Sequence, residues 1–308
     1  MAVLLYAVWS TIFIIEKLAL FHCYPIFLNG FRMSIGGIML ISYLFFKGQW
    51  NLKISHRLFF SLLLLGFFNM YLSNILELLA LKYLSSSKVC FIYSLSPFFA
   101  AFFSYLYFGE KLNLRKTTGI FIGFLAIIPV LSLQNATEKQ VSITSFLSWP
   151  ALAIIIAALS SVYGWILLRY VVRDQKISPI LANGLSMCIG GVFSIVHSSF
   201  TEPWFPVPNS SLWAFVGYAL LMIFISNICC YNLYALLLKR FSATYLSLVG
   251  LLSPVFANFY GHYFLNEELS WTILYSTFLI AIGLWIVYSI ELKQGYIVNK
   301  NNPQKFTG

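Results

Sequence analysis

Apolar runs of about 20 residues recur along the whole of this chain, and each is long enough to cross a bilayer as a helix. This recurrence leaves few folds open. A segment inside hydrocarbon finds no water for its peptide groups, so it must close its own hydrogen bonds, and a helix does so within one run. Composition agrees with a lipid solvent. Only 9% of the 308 residues are charged, 60% are hydrophobic and the mean hydropathy is +0.84. A soluble domain carries about 25% charged residues, and with so few this chain could not cover a water-facing surface. The first run, Ala2–Leu20, has no basic stretch ahead of it and carries Lys17 at its far end. It is therefore expected to be a span rather than a cleaved signal.

Breaking the chain at charges, prolines and Asn/Gly clusters predicts spans near 2–20, 25–46, 57–81, 85–108 and 116–133. A second set follows near 147–170, 179–198, 211–238, 242–265 and 270–291. The expected organisation is a first five-helix unit over 1–133, a polar linker over 134–146, a second unit over 147–292 and a tail over 293–308. Lysine and arginine set the orientation. Fourteen of the 19 fall on the side shared by both termini, four (Lys17, Lys82, Lys88, Lys139) fall on the other, and Arg32 lies within a span. Both termini are thus expected in the cytoplasm. The net charge of +10 belongs to this topology and not to a nucleic-acid partner, because the basic residues interrupt apolar runs rather than form one stripe.

The two sets of five are related. Offsetting the chain by 157 residues lays Lys82–Leu112 on Lys239–Leu269 with ten identities in 31 positions, including Leu95-Ser-Pro97 on Leu252-Ser-Pro254 and Glu110 on Glu267. Five is odd, so the second copy must enter the membrane from the opposite side. The loops carry the same message: Gly109–Lys116 is basic, whereas the matching Asn266–Ile273 is acidic. An all-α membrane protein of ten transmembrane helices, built as two inverted five-helix repeats around a central cavity, is the expected fold. Inverted repeats of this kind serve alternating access, with the substrate site near the midplane between the halves.

Three stretches carry a resemblance. Ala80-Leu-Lys-Tyr-Leu-Ser-Ser, Ser96-Pro-Phe-Phe-Ala and Phe108-Gly-Glu-Lys-Leu, repeated as Lys239-Arg-Phe-Ser-Ala-Thr, Ser253-Pro-Val-Phe-Ala and Leu265-Asn-Glu-Glu-Leu, resemble the EamA domain of the drug/metabolite transporter superfamily. Trp9, Pro25 and Arg32 also match that family's first-helix tryptophan and second-helix P-x6-R. The resemblance implies helices 1–4 and 6–9 around a cavity, with helices 5 and 10 at the periphery. Asn266 departs from the pattern, which has glycine before the glutamate.

Polar groups inside spans are the candidates for function, since hydrocarbon penalises them unless they face protein or water. The substrate-cavity candidates are Trp9, Asn69, Asn74, Glu77, Tyr93, Tyr163, Trp165, Asn227, Tyr231 and Asn258. Glu77 either meets a substrate amine or a proton, or pairs with Lys82 or Lys88. Glu16 and Arg32 are candidates for a structural ion pair, with carboxylate binding the other reading of Arg32. Pro97 and Pro254 are expected mid-span, where proline removes a backbone hydrogen bond, and are the hinge candidates. His262 is expected to be hydrogen-bonded near an interface rather than a proton relay. Gly119-x-x-x-Gly123 allows close helix packing.

No phosphate-cradling GxxxxGK[S/T] is present, nor HExxH or GxSxG, and the five cysteines and four histidines lack metal spacing. No catalytic residue, metal or cofactor is assigned. The expected function is an alternating-access secondary transporter of a small organic metabolite, working by exchange or proton coupling. The substrate is an amino acid, a related zwitterion or cation, or a nucleoside-type metabolite such as S-adenosylmethionine. A passive channel and an exporter of cationic drugs are the alternatives. The expected partners are substrate and lipid, in a bacterial inner membrane, for a monomer or weak homodimer.

Overall fold

The computed structural model describes residues 1–48, 55–108, 114–125, 129, 148–203, 205–208, 211–238, 246, 249–250 and 252–294. Among these residues every regular element is helical. In chain order they are α1 (Ala2–Ala19), α2 (Pro25–Phe46), α3 (His56–Leu81), α4 (Ser86–Tyr93), α5 (Ser96–Phe108) and α6 (Leu114–Leu125). The second set is α7 (Trp149–Asp174), α8 (Pro179–Thr201), α9 (Leu212–Leu237), α10 (Ser253–Leu265) and α11 (Trp271–Gln294). Six of them, α1, α2, α3, α7, α8 and α9, are long and apolar enough to cross a membrane. The predicted linker over 134–146, most of the basic loop that contrasts with its acidic counterpart (109–113) and most of the 293–308 tail lie outside the described residues. Large apolar side chains such as Phe46, Phe200, Trp213 and Trp271 stand exposed. In water this would be an aggregation hazard; against lipid it is the expected surface.

The starts of the helices are written in the sequence. Pro25, Pro150 and Pro179 occupy first turns, where the missing N–H is no loss. Ser55, Ser85 and Ser178 cap their helices by accepting from the backbone N–H three residues on. The N-terminus of α2 is closed from the other half of the chain, because Glu202 accepts from Ile26 N at 2.8 Å and Phe27 N at 2.7 Å. A carboxylate at that position also answers the positive end of the helix dipole.

Two expectations need correcting. The predicted span 85–108 is two helices, α4 and α5, separated at Ser94 and Leu95. Pro97 and Pro254 accordingly lie in the first turn of α5 and α10 rather than mid-helix. Proline is tolerated there because no intrahelical bond is lost, so neither frees a carbonyl from within a continuous helix. At the other end of α10, Asn266 adopts φ 52° and ψ 31°, the left-handed cap. This explains its place in the repeat: the position calls for glycine, and asparagine is among the few side chains that enter this region readily.

α3 and α9 share an irregularity. Besides the short π turn Tyr170–Asp174 that ends α7, Gly66–Ser73 and Ile223–Cys230 are π-helical at matching places in the two halves. The wider turn disturbs the regular ladder, and an asparagine repairs it in each case. Asn74 Nδ2 donates to the Asn69 carbonyl at 2.5 Å, and Asn232 Nδ2 to the Asn227 carbonyl at 3.2 Å. π-Bulges of this sort gather at functional sites. A further repeat accompanies them. Offset by 154, Pro25–Leu40 and Pro179–Ser194 share eight of 16 residues, among them Asn29/Asn183, Gly30/Gly184, Gly36/Gly190 and Gly37/Gly191. Asn29 reaches the Met70 carbonyl inside one π segment, and Asn183 reaches Asn232 just beyond the other.

Helix packing follows these residues. Among the described residues α2 lies along α8 in the most extensive helix contact, and α6 lies along α11. α7 packs on α3, α4 and α5, while α1 packs on α9 and α10. Glycines set the α2–α8 distance: a Cβ built on Gly37 would sit 2.7 Å from Cys188 Sγ and 2.8 Å from the Gly184 carbonyl.

Candidate functional site

One face of α1 carries Tyr6, Trp9, Ser10, Phe13 and Glu16, spaced three or four residues apart and so aligned along the helix. That face forms one wall of a cavity whose other walls come from α2, α3, α4, α5, α7, α9 and the start of α10. About 150 Å³ of it is open to the centres of water molecules, room for several waters and not a dry crevice.

The cavity has two chemically distinct ends. At one, Trp9, Trp165, Tyr231 and Tyr234 form an aromatic box. Trp9 stands edge-on to Trp165 at 5.9 Å between ring centroids, Tyr234 lies 4.3 Å from Trp165, and Tyr231 is 5.4 Å from Trp9. These separations fall within or just under the usual range of favourable aromatic pairs. At the other end, two turns along α1 and roughly 10 Å away by helix rise, the walls are charged. Arg32 Nη2 is 3.2 Å from Glu16 Oε1 and donates to Asn74 Oδ1. Glu77 lines the same end of the cavity as Glu16 and Tyr93, and the Tyr93 hydroxyl is 2.5 Å from Ser73 Oγ. Tyr231 joins the two ends: its ring belongs to the box and its hydroxyl lies 3.4 Å from Asn74 Nδ2.

Of the sequence candidates, Trp9, Asn69, Asn74, Glu77, Tyr93, Trp165 and Tyr231 line this cavity, and Glu16 and Arg32 join them. Three others lie elsewhere. The Tyr163 ring packs on Phe68 and Phe103 on the far side of α7. Asn227 is fully buried among Arg32 O, Met33 and Met187, where it fills the space left by Gly36. Asn258 exchanges hydrogen bonds with the backbone of Ser270 and so holds the loop before α11. Near it, His262 Nδ1 lies 3.0 Å from the Glu267 carbonyl. Asn227, Tyr231 and Tyr234, spaced i, i+4 and i+7, read from the sequence as one face that could line a cavity; Tyr231 and Tyr234 do so and Asn227 does not. Tyr6 and Cys90 are cavity residues that the sequence reading missed; Tyr6 had a signal, one turn before Trp9, and Cys90 had none.

Lys17 turns away from Glu16 and closes one end of the bundle. Its ammonium is 2.8 Å from Glu267 Oε1 and donates to the Leu84 carbonyl at 3.0 Å. Glu267 also accepts from Ser86 N at 3.0 Å and Ser86 Oγ at 2.6 Å. One carboxylate thereby ties the ends of α1, α4 and α10 together across the two halves. Among the described residues, no three His, Cys, Asp or Glu side chains gather as metal ligands would.

The chain matches the EamA-like transporter family over residues 1–132 and again over 148–289. It belongs to that family. Among its EamA relatives, the S-adenosylmethionine/S-adenosylhomocysteine transporter of Chlamydia muridarum is 36% identical over 293 residues, covering 95% of this chain and 92% of that protein. The transporter of the same name from Chlamydia trachomatis serovar D is also 36% identical, over 94% and 89%. The uncharacterized inner membrane transporter YedA of Escherichia coli is 24% identical over 92% and 90%. A solved crystal structure superposes with a TM-score of 0.62 over 94% of this chain and 98% of its own, at 17% identity, which shows a shared fold and no more.

Proposed function

We propose that this protein is an alternating-access carrier of S-adenosylmethionine, which it exchanges for S-adenosylhomocysteine. The observation that carries the reading is the two-ended cavity, enclosed between the halves and holding an aromatic box at one end and Arg32, Glu16 and Glu77 at the other. A nucleoside joined to a charged amino-acid chain has this polarity. The full-length similarity to Chlamydia transporters of these two compounds supplies the chemical class.

Alternating access is supported by how the halves meet. α7 packs on α3 and α5, and α1 packs on their counterparts α9 and α10, so these contacts are equivalent when the halves are exchanged. The duplicated π segments and the doubled Asn-Gly…Gly-Gly pattern of α2 and α8 fit the same reading. With ten spans, the lysine and arginine distribution supports both termini on the cytoplasmic side of a bacterial inner membrane. One chain encloses the cavity and is the transporting unit. No phosphate-cradling loop is present in the sequence to couple ATP, so the drive is exchange or a proton gradient, and the pair of compounds named for the Chlamydia relatives favours exchange.

Reconstitution tests this. In proteoliposomes, labelled S-adenosylmethionine uptake is expected to saturate and to be stimulated by internal S-adenosylhomocysteine. Flux linear in concentration, with no stimulation from the far side, would establish a passive channel instead.

A further inference from the structure

Three buried polar atoms on residues of the cavity wall lack a hydrogen-bond partner: Arg32 Nε, Asn69 Nδ2 and Glu16 Oε2. Buried polar groups are nearly always paired, so a cluster of orphans marks a place where something else supplies the partner. These three are not a random set. Two are donors and one is an acceptor. Arg32 is held by Glu16 and Asn74 through Nη2, which leaves its Nε–H unspent. Glu77 adds a second carboxyl to the wall that carries Glu16. Donors for a carboxylate and acceptors for an ammonium, within one small volume, match the two charges of an α-amino acid. The aromatic box at the far end offers ring faces and one hydroxyl-bearing rim, which suits a flat heterocycle or a cationic sulfur and offers no counter-charge to a carboxylate.

We propose that the substrate lies in one orientation, its α-amino-acid head between Arg32, Asn69, Glu16 and Glu77 and its nucleoside in the box of Trp9, Trp165, Tyr231 and Tyr234, and that Arg32 makes the α-carboxylate a requirement. This rests on the carrier reading above and extends it to specificity. Asn74 acts as a positioning residue here. Its amide bridges the π segment of α3 to the Arg32 guanidinium, so the irregular helix is what aims the arginine. In the second half the equivalent of Arg32 is Ser186, and Asn232 is satisfied by Asn183 instead. Only one half therefore carries the head-group site, which fixes a single orientation.

The test is competition against labelled S-adenosylmethionine for uptake by the full chain in proteoliposomes. S-adenosylhomocysteine, which keeps the head, is expected to compete well. Decarboxylated S-adenosylmethionine and 5′-methylthioadenosine are expected to compete about tenfold or more weakly, the loss for a charge-assisted hydrogen bond. In Arg32→Gln the apparent affinity for S-adenosylmethionine should fall to that of its decarboxylated analogue, with the analogue unchanged. Equal competition by the decarboxylated compound in the wild type overturns the orientation while leaving the carrier intact. So does an Arg32→Gln variant in which both compounds weaken alike. If that variant does not reach the membrane folded, Trp165→Leu serves. It should weaken all the nucleosides together and leave the ratio of S-adenosylmethionine to its decarboxylated analogue as in the wild type, and a collapsed ratio would count against the assignment. Absence of any S-adenosylmethionine uptake in the wild type overturns the carrier reading itself.

Discussion

Replacing Gly37 by alanine tests whether the α2–α8 seam is set by backbone contact. The added Cβ would lie 2.7 Å from Cys188 Sγ, 2.8 Å from Cys188 N and 2.8 Å from the Gly184 carbonyl oxygen. Two of these three atoms are backbone, so no rotamer change relieves them. To restore an ordinary contact distance, the two helices must separate by roughly half an ångström along a seam that also contains Gly30, Gly184 and Gly191. Alanine in a helix interior is worth about 1 kcal/mol over glycine, and overpacking of this kind costs about 1–3 kcal/mol. The net expectation is a loss of about 0–2 kcal/mol, read as a lower melting temperature of the detergent-solubilised protein. Gly217 provides the control. A Cβ there meets nothing within 4 Å, so Gly217→Ala should gain stability by the propensity term alone. If Gly37→Ala proves as stable as Gly217→Ala, the seam is not held by close backbone approach and the account of the glycines is wrong.

Two further outcomes follow from the end of the bundle where α1 finishes. Glu267→Gln removes the charge that pairs with Lys17 and Ser86 and should cost the closed end about 1.5–3 kcal/mol. On the predicted outer side this appears as at least roughly tenfold faster labelling of cavity-lining Cys90 by a membrane-impermeant thiol reagent. Cys23, also free and buried, is replaced by serine in both proteins so that the signal is that of Cys90. An unchanged rate would remove Glu267 from any gating role. At the neighbouring cap, Asn266→Val should lower stability by about 1–2 kcal/mol because φ is 52° there, whereas Asn266→Gly should be tolerated. Equal melting temperatures for the two variants would contradict the left-handed cap.

The span lengths, the charge asymmetry and the Leu-Ser-Pro repeat are local or one-dimensional signals, so the all-helical membrane character and the family were legible in the chain. The doubled Asn-Gly…Gly-Gly pattern and the paired Asn-x4-Asn of α3 and α9 were equally present, and their meaning emerged only beside the π segments they repair. The prolines illustrate the opposite case. Hydropathy sees no boundary between Val89 and Phe103, because an interrupted helix is as apolar as a continuous one. The break at Ser94 and Leu95 is a matter of backbone geometry.

The site divides in the same way. That Asn74 and Glu77 are costly in hydrocarbon and must face something other than lipid is a property of residue type, available from the sequence, whereas Trp9, Tyr93, Trp165 and Tyr231 are of types that also face outward, as Trp213 and Trp271 do. Which amide fills a packing gap and which faces the cavity was decided by the crossing of helices. Asn69 and Asn227 hold equivalent places in the two Asn-x4-Asn pairs, and each packs where a glycine leaves room, Gly164 and Gly36, yet only Asn69 also borders the cavity. The solvent, the helices and the duplication follow from sequence by itself, because they depend on residue type and spacing along one chain. The pairing of Arg32 with Glu16, the aromatic box and the orphaned donors between them depend on side chains brought together from several helices, and only the tertiary structure decides that.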